Sequence, residues 1–435
     1  MGHLVNPART YQLLQKRLDQ NVTGAPDSPA FQKILRILFS EEDAEIARQI
    51  PTRLTPAHRL APRLGREEAW LTDKLSDMSR RGLVFDIEHS GRHYYSLSPV
   101  VIGFFEFTFM RTGDDLPRAE LARLFEEYFF DGGGEFARAV FGGETQIGRS
   151  LVRESALPDE DVAEILDWER STRLIETAST VAVSTCACRH HSEHLGKSCN
   201  RPQRVCLTLN DGAETMVRSG HAERISAREG LAIIEESQKA GLAQTGDNVK
   251  KNVGYICNCC GCCCGMMRSI RSFDLNHAIV SSNWIAEVDA AECTGCGLCV
   301  KACPTGAMAN EDYVLDGRKR RRAVREEDLC LGCGVCDTAC KMNAISMRPR
   351  ERRVFTPETT FDRIVAMAIE RGKLADLLLE DPENLSSQAL GRVLKVLQGL
   401  VPAQAVKALA PLRSTFIETF LPLARPFGGR SAQIV

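Results

Sequence analysis

Thiols are the residues of this chain with the most chemistry in them. Eighteen cysteines occur in 435 residues, fourteen between Cys257 and Cys340 and four between Cys186 and Cys206. The N-terminal stretch Met1-Gly2-His3-Leu4-Val5-Asn6-Pro7 lacks the apolar core of a secretory signal. The longest apolar stretch, Pro99 to Met110, is interrupted by Glu106 and falls well short of the ~20 residues a spanning helix needs. A soluble, cytoplasmic protein with no membrane span is therefore expected, and a reducing compartment argues against a disulfide framework. Thiolates packed this densely need a soft metal to hold them together.

The strongest pattern is an internal repeat. Cys293-Thr-Gly-Cys296-Gly-Leu-Cys299-Val-Lys-Ala-Cys303-Pro304 recurs as Cys330-Leu-Gly-Cys333-Gly-Val-Cys336-Asp-Thr-Ala-Cys340-Lys341, and both copies read C-x2-C-x2-C-x3-C. Three thiolates on one tight loop can wrap three corners of a cubane, and the two-residue gaps need small residues to let the chain turn. Gly295, Gly297 and Ala302 recur as Gly332, Gly334 and Ala339. Over residues 286–348 this resembles the bacterial-type ferredoxin with two [4Fe-4S] clusters. The resemblance implies that the fourth cysteine of each run ligates the other cluster. One cluster would take Cys293, Cys296, Cys299 and Cys340, the other Cys330, Cys333, Cys336 and Cys303, and clusters and fold would be lost together. One departure is Lys341, where the first run ends in Pro304. The competing chemistry is a pair of zinc knuckles on the same C-x2-C pairs.

Ten more thiols precede the repeat. Cys186-Ala-Cys188-Arg189 is followed by Gly196, Cys199, Pro202 and Cys206, and further on by Cys257-Asn-Cys259-Cys260-Gly-Cys262-Cys263-Cys264-Gly265. Six thiols in eight residues have no packing rationale, because a buried run of small apolar residues is built from Ala and Val. Ten thiols can hold two further cubanes, one cubane plus a zinc, or a larger, non-cubane cluster of the kind seen in thiol/disulfide reductases. Over residues 181–348 the pattern is similar to multi-cluster ferredoxin-like proteins of anaerobes, which implies at least one additional [4Fe-4S] cluster. Cys186, Cys188, Cys199 and Cys206 are its first candidate ligands; Cys257, Cys259, Cys260, Cys262, Cys263 and Cys264 complete the metal-binding set. His190, His191 and His194 lie beside this region, and an imidazole can replace a thiolate as in Rieske centres. They are expected instead as neighbours of the site.

These thiols need elements to position them. With 43% apolar and 26% charged residues the chain can bury large cores, and a net charge of −2 exerts no global pull on nucleic acid or anionic lipid. An α+β, multidomain architecture is expected: a winged-helix-like domain (1–112), a helical linker domain (113–180), a cysteine-rich iron–sulfur domain (181–285), a dicluster ferredoxin domain (286–348) and a helical C-terminal domain (349–435). The first rests on three helices and a hairpin. Phe31, Ile34, Leu35, Ile37 and Leu38 mark one helix, Ala44 to Ile50 a second, and Trp70, Leu71, Leu75 and Met78 a third over Glu67–Arg81; the hairpin turns at Ser90-Gly91. In the linker, Leu121, Leu124, Phe125 and Tyr128 share one helical face and Val162, Ile165 and Leu166 another. Thr356-Pro357-Glu358 starts a tail helix carrying Phe361, Ile364, Val365, Ala368 and Ile369. Asp381-Pro382 breaks the pattern, and Leu390, Val393, Leu394 and Leu397 resume it.

Charge then narrows the partners. Arg318-Lys319-Arg320-Arg321-Arg322-Ala323-Val324-Arg325 runs between the two halves of the repeat, and Arg348, Arg350, Arg352 and Arg353 follow the second. A thiolate-ligated cubane is anionic, so nearby cations favour its reduced form and steer acidic redox partners; the other reading of the run is a solvated hairpin tip. From Leu60 to Arg92 six Lys/Arg face six Asp/Glu, a neutral balance unsuited to a DNA groove. Nucleic acid is not expected as a partner, and this domain reads as a scaffold or protein-contact module. There is no P-loop and no strand-coupled G-x-G-x-x-G, and the glycines of Asp131–Glu135 and Phe141–Gly143 read as turns. The expected function is electron transfer between a low-potential donor and a partner oxidoreductase, with no catalytic residue of its own. The alternatives are a redox enzyme with an unusual cluster at Cys257–Cys264 and a redox-sensing DNA-binding regulator.

Overall fold

The computed structural model describes residues 7–89, 91–113, 116–157, 165–315 and 317–378. It forms two compact units, one from Met1–Phe104, Gly143–Thr145 and Thr360–Val435 and the other from Phe105–Gly142 and Gln146–Thr359. Helix and strand are mixed, as an α+β reading requires. Among the described residues no helix is long and apolar enough to cross a membrane.

In the first unit the helices Pro29–Leu38, Glu41–Ala47, Ala57–Leu64 and Glu68–Arg80 lead into the hairpin Val84–His89 and Arg92–Leu97. Ser28 caps the first of these by accepting the Phe31 N–H at 3.0 Å, with Pro29 in the first turn, and Ala30, Phe31, Ile34, Leu35 and Leu38 face the core. Ser40 and Asp43 form a reciprocal capping box on the second. The short strand Thr55–Pro56 pairs with Arg92–Leu97, Thr55 opposite Tyr95, making a three-stranded sheet. Neither that strand nor the helix Ala57–Leu64 is among the sequence expectations; the helix buries Ala57, Leu60 and Ala61 at helical spacing but has Pro62 inside it, a residue that argues against a helix. Tail helices Thr360–Glu370 and Leu374–Leu378 belong to this unit; the Asp381-Pro382 break and the Leu390–Leu397 pattern, like Val162, lie outside the described residues.

Asp43 holds this unit together as well as capping a helix. Its carboxylate is 1% exposed and takes Lys74 Nζ at 2.9 Å and Arg81 Nη1 at 2.8 Å. Burial alone would raise its pKa; the hydrogen bonds from Arg81, Lys74 and Ser40 hold it well below the carboxylate range. Asp43→Ala breaks the capping box and removes the buried partner that Lys74 and Arg81 share, leaving them only the more exposed carboxylates of Glu42 and Asp77. It is expected to cost about 3 kcal/mol in urea denaturation of the full chain.

The second unit is built on a six-stranded sheet whose paired strands are antiparallel, in the order Gly148–Ser150, Ala243–Asp247, Tyr255–Cys259, Arg204–Leu209, Val181–Thr185, Glu223–Ile225. Residues 113–180, read as helical, do supply helices Arg118–Phe130 and Glu135–Phe141, but Gly148–Ser150 is a sheet strand pairing with Thr245–Asp247. Three residues are too few to show a period, so only the long-range pairing reveals it. On one face Val181, Val183, Leu207, Leu209 and Ile256 pack with Ile234 in an apolar core. Period-two alternation therefore sends Cys206, Cys257 and Cys259 to the opposite face. Downstream, strand Trp284–Val288 pairs antiparallel with Ile345–Pro349. Between them lie helices Leu298–Ala302 and Val335–Ala339 and the hairpin Met308–Leu315 with Arg318–Arg325.

Candidate metal centres

The two cysteine runs of the repeat fold onto loop-and-helix turns that each end in a short helix. Gly295 and Gly332, at equivalent places in these loops, have φ of +69° and +66°. A Cβ on Gly295 would come within 2.7 Å of the Arg321 carbonyl carbon, and one on Gly332 within 2.8 Å of the Trp284 carbonyl carbon. Each loop thus lies flush on a neighbouring strand, and only glycine fits. One cavity is lined by Cys293, Cys296, Cys299 and Cys340. A second is lined by Cys303, Cys330, Cys333 and Cys336. Three thiols of each set come from one run and the fourth from the other, so each cavity draws on both halves. Cys296 is exposed, whereas Cys330, Cys333 and Cys336 are buried. The donor set, four thiols to each cavity, suits a thiolate-ligated cubane. Burial pushes the Cys333 thiol up to about 12, so it keeps its proton at neutral pH unless a metal displaces it.

The ten upstream thiols separate into two neighbouring groups. Cys257 and Cys259 share a face of their strand, and Cys206 comes from the adjacent strand. Each thiol then acts on the pKa of the next along a row from Cys206 to Cys257, Cys259, Cys264 and Cys188. Cys186, pushed up to about 12 by burial, adjoins this row. After Cys259 the chain leaves the sheet and turns, and the turn delivers Cys260, Cys262 and Cys263 to Cys199. Sγ separations in this second group are 3.9 Å for Cys199–Cys260, 3.9 Å for Cys199–Cys263 and 3.7 Å for Cys262–Cys263. Cys199 and Cys206, neighbours in the sequence pattern, thus belong to different groups. The run of six thiols in eight residues serves both groups: its strand residues join the row, and its turn joins Cys199.

Three arginines accompany the thiols. Arg189 is fully buried; its Nη1 donates to the Asn258 carbonyl at 3.1 Å and to Cys260 Sγ at 3.8 Å, while its Nε and Nη2 have no partner among the described residues. Arg201 Nη1 reaches Cys262 Sγ at 3.8 Å. Arg153, also buried, donates its backbone N–H to the Cys333 carbonyl at 3.2 Å, its Nη1 to Thr338, and its Nη2 to the Leu242 carbonyl at 2.9 Å. Leu242 packs with Cys260 and Cys263, so Arg153 ties the upstream thiols to the second cavity. A Cβ on Gly261 would stand 3.0 Å from the Pro304 Cα, next to Cys303. Sequence reasoning missed Arg153 and Arg201. Arg153 contacts Thr338 across 185 positions, a separation no local pattern reports. The only signal for Arg189 was its place directly after Cys188.

The three histidines turn away from the sulfurs. His190 Nδ1 lies 2.7 Å from the Phe109 carbonyl, His191 Nε2 lies 2.9 Å from the Ala122 carbonyl, and His194 Nε2 lies 3.2 Å from His190. His191 stacks edge-on against Phe105 and Phe109, and burial pulls its pKa down to about 4. These rings pack the thiol-bearing helix Ala187–His194 onto an aromatic core.

Residues 286–309, which include the whole first cysteine run, match the family model described as a 4Fe-4S binding domain. Comparison with curated proteins and with solved structures gives no match. The chain carries an iron–sulfur, ferredoxin-type segment and a cysteine-rich metal-binding cluster.

Proposed function

We propose that this protein is an electron carrier in which two [4Fe-4S] clusters are held by Cys293, Cys296, Cys299 and Cys340 and by Cys303, Cys330, Cys333 and Cys336, with a further cluster drawing its ligands from Cys186, Cys188, Cys206, Cys257, Cys259 and Cys264. The observation that carries the reading is the pair of cavities, each bordered by three thiols of one run and one of the other. A bound cluster of this type supplies one-electron chemistry, and the protein's role is to space, bury and charge-balance such centres. The contact of Gly261 with Pro304, and the reach of Arg153 from Leu242 to Cys333, support a continuous route from the upstream thiols to the repeat.

The outer cavity is where a partner would meet the chain. Its Cys296 is exposed, and the basic strand Arg318–Arg325 runs along it, the Ala323 N–H donating to Cys293 Sγ at 3.3 Å. Arg321 and Arg322 are occupied by Asp312 at 2.7 Å and Glu311 at 3.0 Å. Arg318, Lys319 and Arg320 remain exposed at the hairpin tip and suit an acidic redox protein. The helix order of the first unit and the pairing of Thr55–Pro56 with its hairpin support a winged-helix reading. With Lys74 and Arg81 committed to Asp43, this unit is poorly equipped to neutralise phosphates, which favours a scaffold role over DNA binding.

Anaerobic purification with iron and sulfide quantified, and EPR of the reduced protein, tests the reading. Three cubanes correspond to about twelve irons with matching sulfide. A colourless preparation without sulfide would falsify it.

A further inference from the structure

We infer that Cys199, Cys260, Cys262 and Cys263 form a mononuclear, closed zinc-thiolate site, separate from the iron–sulfur clusters. Spacing points to it first. A tetrahedral ion with metal–sulfur bonds of about 2.3 Å sets its ligand sulfurs about 3.8 Å apart, by the geometry of the tetrahedron. The three separations of 3.7, 3.9 and 3.9 Å around Cys199 and Cys263 match that edge, and all four sulfurs lie within 4.8 Å of one another. A cubane needs a wider ring, because each thiolate binds a different iron of a four-iron core. The same chain provides the contrast: the eight thiols of the repeat stand around open cavities, and among the described residues no other three metal-ligating side chains are drawn together as tightly.

Charge points the same way independently. Four thiolates on a divalent ion leave a net charge of −2. Two guanidinium groups face the quartet, Arg189 on Cys260 and Arg201 on Cys262, each with an N–H 3.8 Å from sulfur, so the site is neutral as a whole. Arg189 is entirely buried, with two of its nitrogens unpartnered among the described residues, a cost that makes sense only beside a compensating anion. Arg201 is held in place by the Ala240 carbonyl at 2.9 Å. Four thiolates leave no open position, so the ion does no catalysis. It pins the loop of Cys199 to the turn that adjoins Pro304.

This site stands independently of the electron-transfer reading, and two separate readouts keep the two apart. Zinc K-edge X-ray absorption of the native protein, purified without oxygen, is expected to give about one zinc per chain with four sulfurs at about 2.3 Å. In Cys262→Ala, which alters the exposed member of the quartet, zinc should fall at least tenfold while inorganic sulfide and the reduced EPR signals persist. Absence of zinc from the native protein overturns the inference, as does a single thiolate-bound iron in its place. So does a fall of about four sulfides in Cys262→Ala, which would mark a cubane at the quartet. The native absorption measurement decides the matter even if the variant does not fold.

Discussion

Cys340→Ala is expected to disturb the centre of the first cysteine run, not that of its own. The cavities dictate this: Cys340 lines the one with Cys293, Cys296 and Cys299, and Cys303 lines the one with Cys330, Cys333 and Cys336. Double variants make the assignment quantitative, because losses at one centre do not add whereas losses at two centres do. Cys340→Ala alone should remove about four irons, Cys340→Ala with Cys296→Ala again about four, and Cys340→Ala with Cys333→Ala about eight. Ligation confined within each run would invert the last two numbers. The measurement is iron and sulfide per chain, with EPR of the reduced protein reporting the surviving cluster. The physical consequence is mutual dependence: each half contributes a ligand that the other half cannot replace, so metal binding and folding of residues 286–348 are coupled.

How far such a result could be foreseen differs between regions of the chain. The repeat was legible because its information is local. In each run the cysteines and their glycine, Gly295 in the first and Gly332 in the second, lie within a few residues of one another, and the hairpin at Gly91 shows in the alternation on either side of it. The helix Pro29–Leu38 likewise announces itself through Ser28, Pro29 and its apolar spacing. The sheet that organises the upstream thiols was not legible, since its order depends on pairings such as Leu207 with Ile256 that no window contains. The same holds for the sorting of the ten thiols. Spacing grouped Cys199 with Cys206, but a strand presents Cys206 to one side and a loop delivers Cys199 to the turn at Cys260–Cys263. A clue was present in Cys257-Asn-Cys259, whose two-residue step is that of a strand face, followed by a glycine that ends the strand pattern. The buried cations lay further out of reach. Arg153 and Arg201 look like ordinary surface arginines until the fold places them against sulfur-bearing loops.

The second large effect is steric. Gly332→Ala is expected to cost about 4 kcal/mol or more and to cost the protein its second cluster, because two penalties coincide there. Its φ of +66° is strained for any residue with a Cβ, and that Cβ would be driven into the Trp284 carbonyl and against Ser282 Oγ. Relief would need the strand Trp284–Val288 to move. That strand is paired along its length with Ile345–Pro349, and Arg350 further fastens the Trp284 carbonyl with its Nε at 3.1 Å. The loop therefore has to yield instead, and with it the positions of Cys330 and Cys333. Gly306→Ala separates the two penalties: its φ is +84° but a Cβ there meets nothing within 4 Å. Backbone strain alone should cost about 1 kcal/mol and leave the iron content unchanged. Chemical denaturation of both variants, with iron per chain measured before unfolding, checks the pair. Equal losses in the two would mean that the close approach to Trp284 does not control the geometry of the cysteine loop.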